Sequence, residues 1–356
     1  CPRGTVRDID EYELREGVEI HRYLPKEAGG GPWGYFVEYG WALLQIRRLA
    51  RALERRHRFD VIHLCNPPDV LYLAVGSLRR RGARIIFDHH DLVPELFEAR
   101  FGRGGVLARA ARAAELRTLR LADVVVAPNE SYRRIAVERG GQDPDDVFVV
   151  RMAPDVERFR AGEPDEALKR GRRYLIGYAG MIGPQDGVDH AVRALAKLAR
   201  QRDDWHAVFA GSGDAADEAQ ELAASLGLAD RIEFVGFVGD ADLIRIVGSA
   251  DVCLAPEPKN PLNDASTMIK VVEYMALGRP VVAYDLAETR FSAGDAALYA
   301  RANDETAFAG CIARLLDDPD LRVRMSEVGR RRVSEELSWD RSVEVLLAAY
   351  RRALGS

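Results

Sequence analysis

Short apolar runs separated by stretches of helical periodicity recur along almost the whole chain. Runs at 61–65, 84–87, 123–128 and 147–151 lack the polar alternation of a half-exposed strand, and so predict parallel strands covered on both faces. Residues 35–58 carry Phe36, Tyr39, Leu43, Ile46, Ala50 and Leu53 at three- and four-residue spacing, which predicts an amphipathic helix. Further helices are expected up to Arg80 after the turn at 66–69, and over 130–139. The stretch 152–172, with Pro154, Pro164 and a mixed-charge run, reads as a linker. A second series follows, with strands at 174–179, 207–210, 232–235, 252–255 and 280–284. Helices are expected between them at 187–200, 215–226, 240–249 and 266–277, and Ser338 opens a last amphipathic helix to Leu354. The class is α/β: two successive parallel domains, with ligands expected at the carboxyl ends of the strands.

A chain of 356 residues is long enough for two cores. It has no run of 18 apolar residues, so no membrane-spanning helix is expected. Cys1, Cys65, Cys253 and Cys311 show no metal or redox spacing, which suits a reducing cytoplasm. Residues 1–150 hold 24 Lys/Arg against 22 Asp/Glu, and the rest 27 against 34. Neither balance indicates nucleic acid, and no aromatic–basic interleaving supports it. Arginine does cluster locally, at Arg47, Arg48, Arg51, Arg55 and Arg56 and again at Arg103, Arg109, Arg112, Arg117 and Arg120. These are solvated helix faces, or contacts to an anionic membrane surface or a lipid-diphosphate acceptor.

The segment 263–282 carries the densest chemistry. Asn263 and Asp264 form a polar loop, Ser266 and Thr267 open a helix, Gly278 ends it and a buried strand follows. A helix start attracts phosphate; Lys270 lies near it, and Glu273 falls on roughly the same side. The pair could hold a diphosphate and a sugar diol; the same pattern suits a capped core helix with two surface charges. Asp88, His89, His90 and Asp91 crowd one strand end, where a histidine flanked by carboxylates can bind or polarise a hydroxyl, or serve turn and cap chemistry. Gly180, Gly183, Gln185 and Gly187 form a strand-to-helix turn that lets a ligand approach the backbone, but neither it nor Gly211–Gly213 has dinucleotide-binding spacing. No divalent-metal site is expected, since His63 lies in a strand with no second ligand cluster in the sequence.

These motifs resemble glycosyltransferase family 4 over essentially the whole chain. The carriers are the 88–91 loop with Pro94-Glu95, the 122–127 strand, the Tyr178-Ala179-Gly180 turn, and Glu273-Tyr274-Met275-Ala276 with Gly278-Arg279-Pro280. The 261–268 and 292–297 stretches resemble a bacterial subgroup making cell-surface polysaccharides. The resemblance implies the GT-B architecture of two facing Rossmann-like domains: 1–160 joined by the 338–356 helix crossing back, and 161–337. It implies a retaining transfer from a nucleotide diphosphate sugar, uridine-linked, to a glycan or lipid-linked acceptor, without cofactor or metal, in the cytoplasm or at the inner membrane face. Rivals are a non-catalytic nucleotide- or partner-binding module and a nucleotide-sugar epimerase.

Site roles are implied as well. Catalytic work would fall to His90, Asp264 and Lys270. Donor contacts would come from Gly180, Gly183, Gln185, Gly236, Val238, Asn263, Ser266, Thr267 and Glu273, and acceptor-side contacts from His89, Asp91, Glu95 and Asn66. Three departures stand out. Ala265 replaces the family's first motif glutamate, leaving Asp264 or Asn263 to assume its task. Met181 and Asp186 replace the usual basic pair of the diphosphate site, leaving Lys270, Lys259 and the helix start as substitutes. The family's opening strand–loop–helix, roughly 35–40 residues, would precede Cys1, which is expected at the end of the second strand.

Overall fold

Residues 2–3, 9–26, 32–101 and 105–355 are described by a computed structural model, with the backbone alone for residues 32, 33, 35, 36, 100 and 101. Cys1 and Arg103 therefore lie outside the described residues, as does the Phe36 side chain. The chain divides into two compact units, Cys1–Val149 with Val345–Ser356, and Val150–Glu344.

The first unit begins with an exposed antiparallel hairpin, β1 (Tyr12–Arg15) and β2 (Val18–His21). It continues with four parallel strands in sequential order: β3 (Val61–Cys65), β4 (Arg84–Asp88), β5 (Val124–Ala127) and β6 (Val147–Val149). β-Branched and aromatic residues make these strands, and Ile85, Ile86, Phe87 and all of β5 are buried in the core. Helix Pro32–Glu54 presents Arg47, Arg48 and Arg51 to solvent; it ends before Arg55 and Arg56, which are exposed in the turn that follows. The helix expected over 130–139 starts where Asn129 accepts the Tyr132 N–H (2.8 Å). At Ile135–Arg139 it widens to a π-helical turn, and the Gly140 N–H reaches back five residues to the Ile135 carbonyl (3.1 Å).

The second unit is a six-stranded parallel sheet of β7 (Tyr174–Ala179), β8 (Trp205–Ala210), β9 (Ile232–Gly236), β10 (Val252–Ala255), β11 (Val281–Tyr284) and β12 (Ala297–Ala300). Their spatial order is β12-β11-β10-β7-β8-β9. The chain runs outward from β7 in both directions, so the order reverses between β7 and β10. That switch point opens a crevice at the strands' carboxyl ends. One core lies between the sheet and helices Val188–Ala199 and Glu305–Asp317; a second lies under helices Asp240–Ser249 and Ile269–Ala276.

The helix expected over 266–277 starts later, at Ile269, and a separate short helix lies before it where a polar loop was expected. Asn260 caps a short helix with Pro261 in its first turn, Pro261–Ala265, and the extended backbone of Ser266 ends it. The next helix begins after Met268 with no side-chain cap. Ser266 and Thr267 thus do not open the helix bearing Lys270; the Ser266 hydroxyl donates backward to the Leu262 carbonyl (2.8 Å). Asp318 caps helix Pro319–Glu335 by accepting the Leu321 N–H. Among the described residues, no helix is long and apolar enough to cross a membrane.

Candidate functional site

In the second unit the polar groups gather at the β7–β10 switch point. Helix Ile269–Ala276 buries Val271, Val272, Tyr274 and Met275 against the sheet, which turns Lys270 toward the loops after β7 and β10. The Lys270 side chain is 10% exposed, and its Nζ lies 2.5 Å from Glu257 Oε1, 3.0 Å from the Tyr178 hydroxyl and 3.7 Å from Asp186 Oδ1. It also stands 4.6 Å over the Tyr178 ring. Burial alone would push this ammonium down; Glu257, Tyr178 and Asp186 outweigh it and hold Lys270 above the ordinary lysine range. Glu257, 1% exposed, follows the end of β10.

Gly180 makes this arrangement possible. Its φ is +150°, and a Cβ there would lie 2.9 Å from Lys270 Cε and 3.1 Å from Nζ, so any side chain would displace the ammonium. Gly183 donates its N–H to Asp186 Oδ2 (2.9 Å) and tightens the same loop. Glu273, half-buried, sits one turn beyond Lys270; burial raises its carboxyl, with Lys270 and Arg158 acting in the other direction. Gly236 ends β9, its carbonyl accepting the Gly211 N–H (2.8 Å), and Val238 is half-buried just beyond it.

Several residues expected at the donor are engaged structurally. Asn263 is 3% exposed, and its amide donates to the Gln185 carbonyl (2.9 Å) and the Pro258 carbonyl (2.8 Å), tying the β7 loop to the β10 loop. Both N–H donors of its amide are used in this tie. Gln185 contributes its backbone to that tie. Asp264 Oδ1 accepts the Ala287 N–H (2.9 Å) and pairs with Lys259 (3.3 Å), so Lys259 does not join Lys270. Thr267 is half-buried between the two short helices. The sequence reading missed Glu257 and Tyr178. Glu257 had a signal of its own, a carboxylate two residues after a buried strand.

In the first unit Asp88, at the end of β4, is a hub. His63 Nε2 and His90 Nε2 each lie 3.1 Å from its Oδ2, and the Cys65 thiol donates to the same oxygen at 3.6 Å. Burial would raise the Asp88 carboxyl, but hydrogen bonds from His63 and His90 hold it well below the usual carboxylate range. The reciprocal bond from Asp88 raises His90, with Cys65 adding to the effect. The His90 backbone is fixed by Asn66, whose Oδ1 accepts the N–H groups of His90 (2.7 Å) and Asp91 (3.1 Å). Its amide donates to Asp69 and to the Asp91 carbonyl, both at 2.7 Å, so every hydrogen-bonding position of Asn66 is used.

The other expected acceptor contacts separate. His89 is 0% exposed, stacked on Phe87, tilted against Tyr132 and 3.3 Å from Glu115. It offers no surface to an acceptor, because strand pairing of its backbone turns it into the core. Glu95 is held by Arg139 (2.7 Å) and Arg112 (3.5 Å), anchoring helix Val93–Phe101. Asp91 is exposed.

Asp69 beneath Asn66 gives a pH prediction. Burial lifts its carboxyl to about 7 against the pull of His89 and Asn66. The unfolded chain releases this proton near 3.9, so this group makes stability fall as pH rises from about 4 to about 7, then level off. Asp69→Asn should remove that slope and stabilise the protein by about 2–4 kcal/mol at pH 8, with little change at pH 4. Urea unfolding across this range checks it; equal slopes for both proteins contradict it.

Residues 10–158 match the family described as Glycosyltransferase Family 4, and residues 173–318 the family described as Glycosyl transferases group 1. The chain is 31% identical over 252 residues to 2-deoxystreptamine glucosyltransferase of Streptomyces kanamyceticus, spanning 68% of this chain and 62% of that protein. It is 28% identical over 384 aligned positions to D-inositol 3-phosphate glycosyltransferase of Salinispora tropica, spanning 99% and 76%. Among solved structures, sucrose-phosphate synthase of Thermosynechococcus elongatus superposes with a TM-score of 0.79 at 19% identity, covering 99% of this chain and 88% of that one. Anabaena HepE in complex with UDP and glucose superposes with 0.72 at 15% identity, covering 93% and 86%. These likenesses establish the GT-B fold.

Proposed function

The chain belongs to the glycosyltransferases, a family 4 domain followed by a group 1 domain, and from that premise we propose that it moves a sugar from a nucleotide diphosphate sugar, UDP-linked, to an acceptor hydroxyl with retention at the anomeric carbon. One observation carries the reading: a lysine ammonium, nine-tenths buried, is fixed at the switch-point crevice on a helix start with no side-chain cap. An ammonium and a helix amino end together suit a departing diphosphate. Glu273, one turn further, would accept the ribose hydroxyls, and the backbone around Gly236–Val238 would meet the base.

In the reaction the bond from the anomeric carbon to the diphosphate oxygen breaks and the acceptor oxygen bonds to that carbon on the same face. The acceptor proton passes to the leaving diphosphate. Of the three Lys270 donors, those toward Tyr178 and Glu257 fix the ammonium and leave one for a phosphate oxygen. His90, kept cationic by Asp88, would hold a sugar or acceptor hydroxyl, with Asn66 setting its backbone. A glycan or lipid-linked acceptor in cell-surface polysaccharide synthesis fits the exposed arginine faces, which suit the inner face of an anionic membrane. The relatives named for D-inositol 3-phosphate and 2-deoxystreptamine support a small cyclic polyol as the second acceptor class.

Incubating the protein with UDP-sugars, with and without a polyol or lipid-linked acceptor, tests the reading. Acceptor-dependent UDP release is expected. A donor sugar altered without acceptor would mark an epimerase, and binding without turnover under every pairing would mark a nucleotide-binding module.

A further inference from the structure

The carboxyl edge of the first unit's sheet brings three different metal-ligating atoms together. Residues two apart on a strand face the same side, so β3 projects His63 and Cys65 in one direction. Asp88 on β4 is the in-register neighbour of Cys65. The sequence shows none of this, because the third ligand lies 23 residues beyond Cys65.

We propose that His63 Nε2, Cys65 Sγ and Asp88 Oδ2 form a site for a thiophilic divalent cation of the zinc class, with His90 beside the fourth position. The proposal rests on the first unit alone and does not depend on the sugar-transfer reading. The three atoms all lie within 4.8 Å of one another. Around a tetrahedral ion with ligand bonds of about 2.0–2.3 Å, neighbouring N, O and S ligands stand about 3.3–3.6 Å apart. The observed 3.1 Å from His63 to Asp88 and 3.6 Å from Cys65 to Asp88 need only small adjustments. His90 Nε2 is also 3.1 Å from that Asp88 oxygen.

The surroundings are those of a ligand set. His63 Nδ1 lies 2.8 Å from the Tyr350 hydroxyl, an outer contact that orients the ring and leaves Nε2 for the ion. A mixed sulfur, nitrogen and oxygen set favours zinc over magnesium or calcium, which take oxygen alone. Binding displaces the Cys65 thiol proton and the proton shared by His63 and Asp88. Cys65 is exposed, so an ion can enter from solvent.

Cobalt(II) titration of the full chain, prepared without a polyhistidine tag and stripped with chelator, tests this. The expected result is one cobalt per chain with a sulfur-to-cobalt charge-transfer band, displaced by zinc. Cys65→Ser should abolish the band, and Tyr350→Phe should weaken binding about 10- to 100-fold, with far-ultraviolet circular dichroism confirming that both variants fold. No charge-transfer band from the unaltered chain would overturn the proposal, whatever the variants do. A band persisting in Cys65→Ser would also overturn it.

Discussion

Lys270→Ala is expected to lower kcat/KM for sugar transfer by about 100- to 1000-fold, the loss typical of one preorganised group at a developing negative charge. A second effect accompanies it. Glu257 is 1% exposed and 2.5 Å from the ammonium, so removing Lys270 leaves a buried carboxylate without its counter-charge. Breaking such a pair from one side costs about 3–5 kcal/mol, and low activity could then reflect unfolding. The double variant Lys270→Met/Glu257→Gln separates the two causes. Removing both charges should return most of the lost stability, because neither group then remains buried and unpaired. Activity should stay as low as in Lys270→Ala. Thermal unfolding beside initial rates decides: recovery of both stability and activity would reduce Lys270 to a packing role.

Glu273→Gln is expected to show the opposite stability behaviour. Burial raises this carboxyl, so the charged form is a cost to the folded state at neutral pH. An acid whose folded pKa is raised gives up stability above its unfolded value, so neutral Gln should match or exceed the parent, by about 1 kcal/mol at most. The gain should fade as pH falls toward the unfolded pKa. Charged hydrogen bonds to a diol are worth about 1.5–3 kcal/mol, so the donor KM should rise about 10- to 100-fold with a smaller change in kcat. Unchanged donor KM in a folded Glu273→Gln protein would remove the ribose role.

The strands of both sheets were legible because parallel strands buried on both faces are short apolar runs, as at Val124–Ala127 and Val252–Ala255. The hairpin was not: Tyr12–Arg15 and Val18–His21 do alternate apolar and polar residues, but each run is only four residues long and mostly exposed, so no buried face marks it. β12 escaped as well: Ala297–Ala300 is four residues long and follows a polar turn. At the site, Lys270 and Glu273 could be read from helical spacing, which is local. Asn263 and His89 resembled ligands for the same local reason, polar residues near strand ends. Their burial is decided by packing between elements far apart in sequence, and the Gln185–Asn263 tie spans 78 residues. The pairing of Lys270 with Glu257 and Tyr178 is likewise a product of the sheet order, because β7 and β10 become neighbours only once the sheet is wound.

Calorimetric titration of UDP and UDP-sugars into the full chain tests the central assignment most directly. The expected result is one-site binding that is weakened at least tenfold in Glu273→Gln and lost in Lys270→Met/Glu257→Gln, with both variants folded. Binding of equal strength in all three proteins, or no nucleotide bound by the unaltered chain, would contradict a nucleotide-sugar cradle at the β7–β10 crevice.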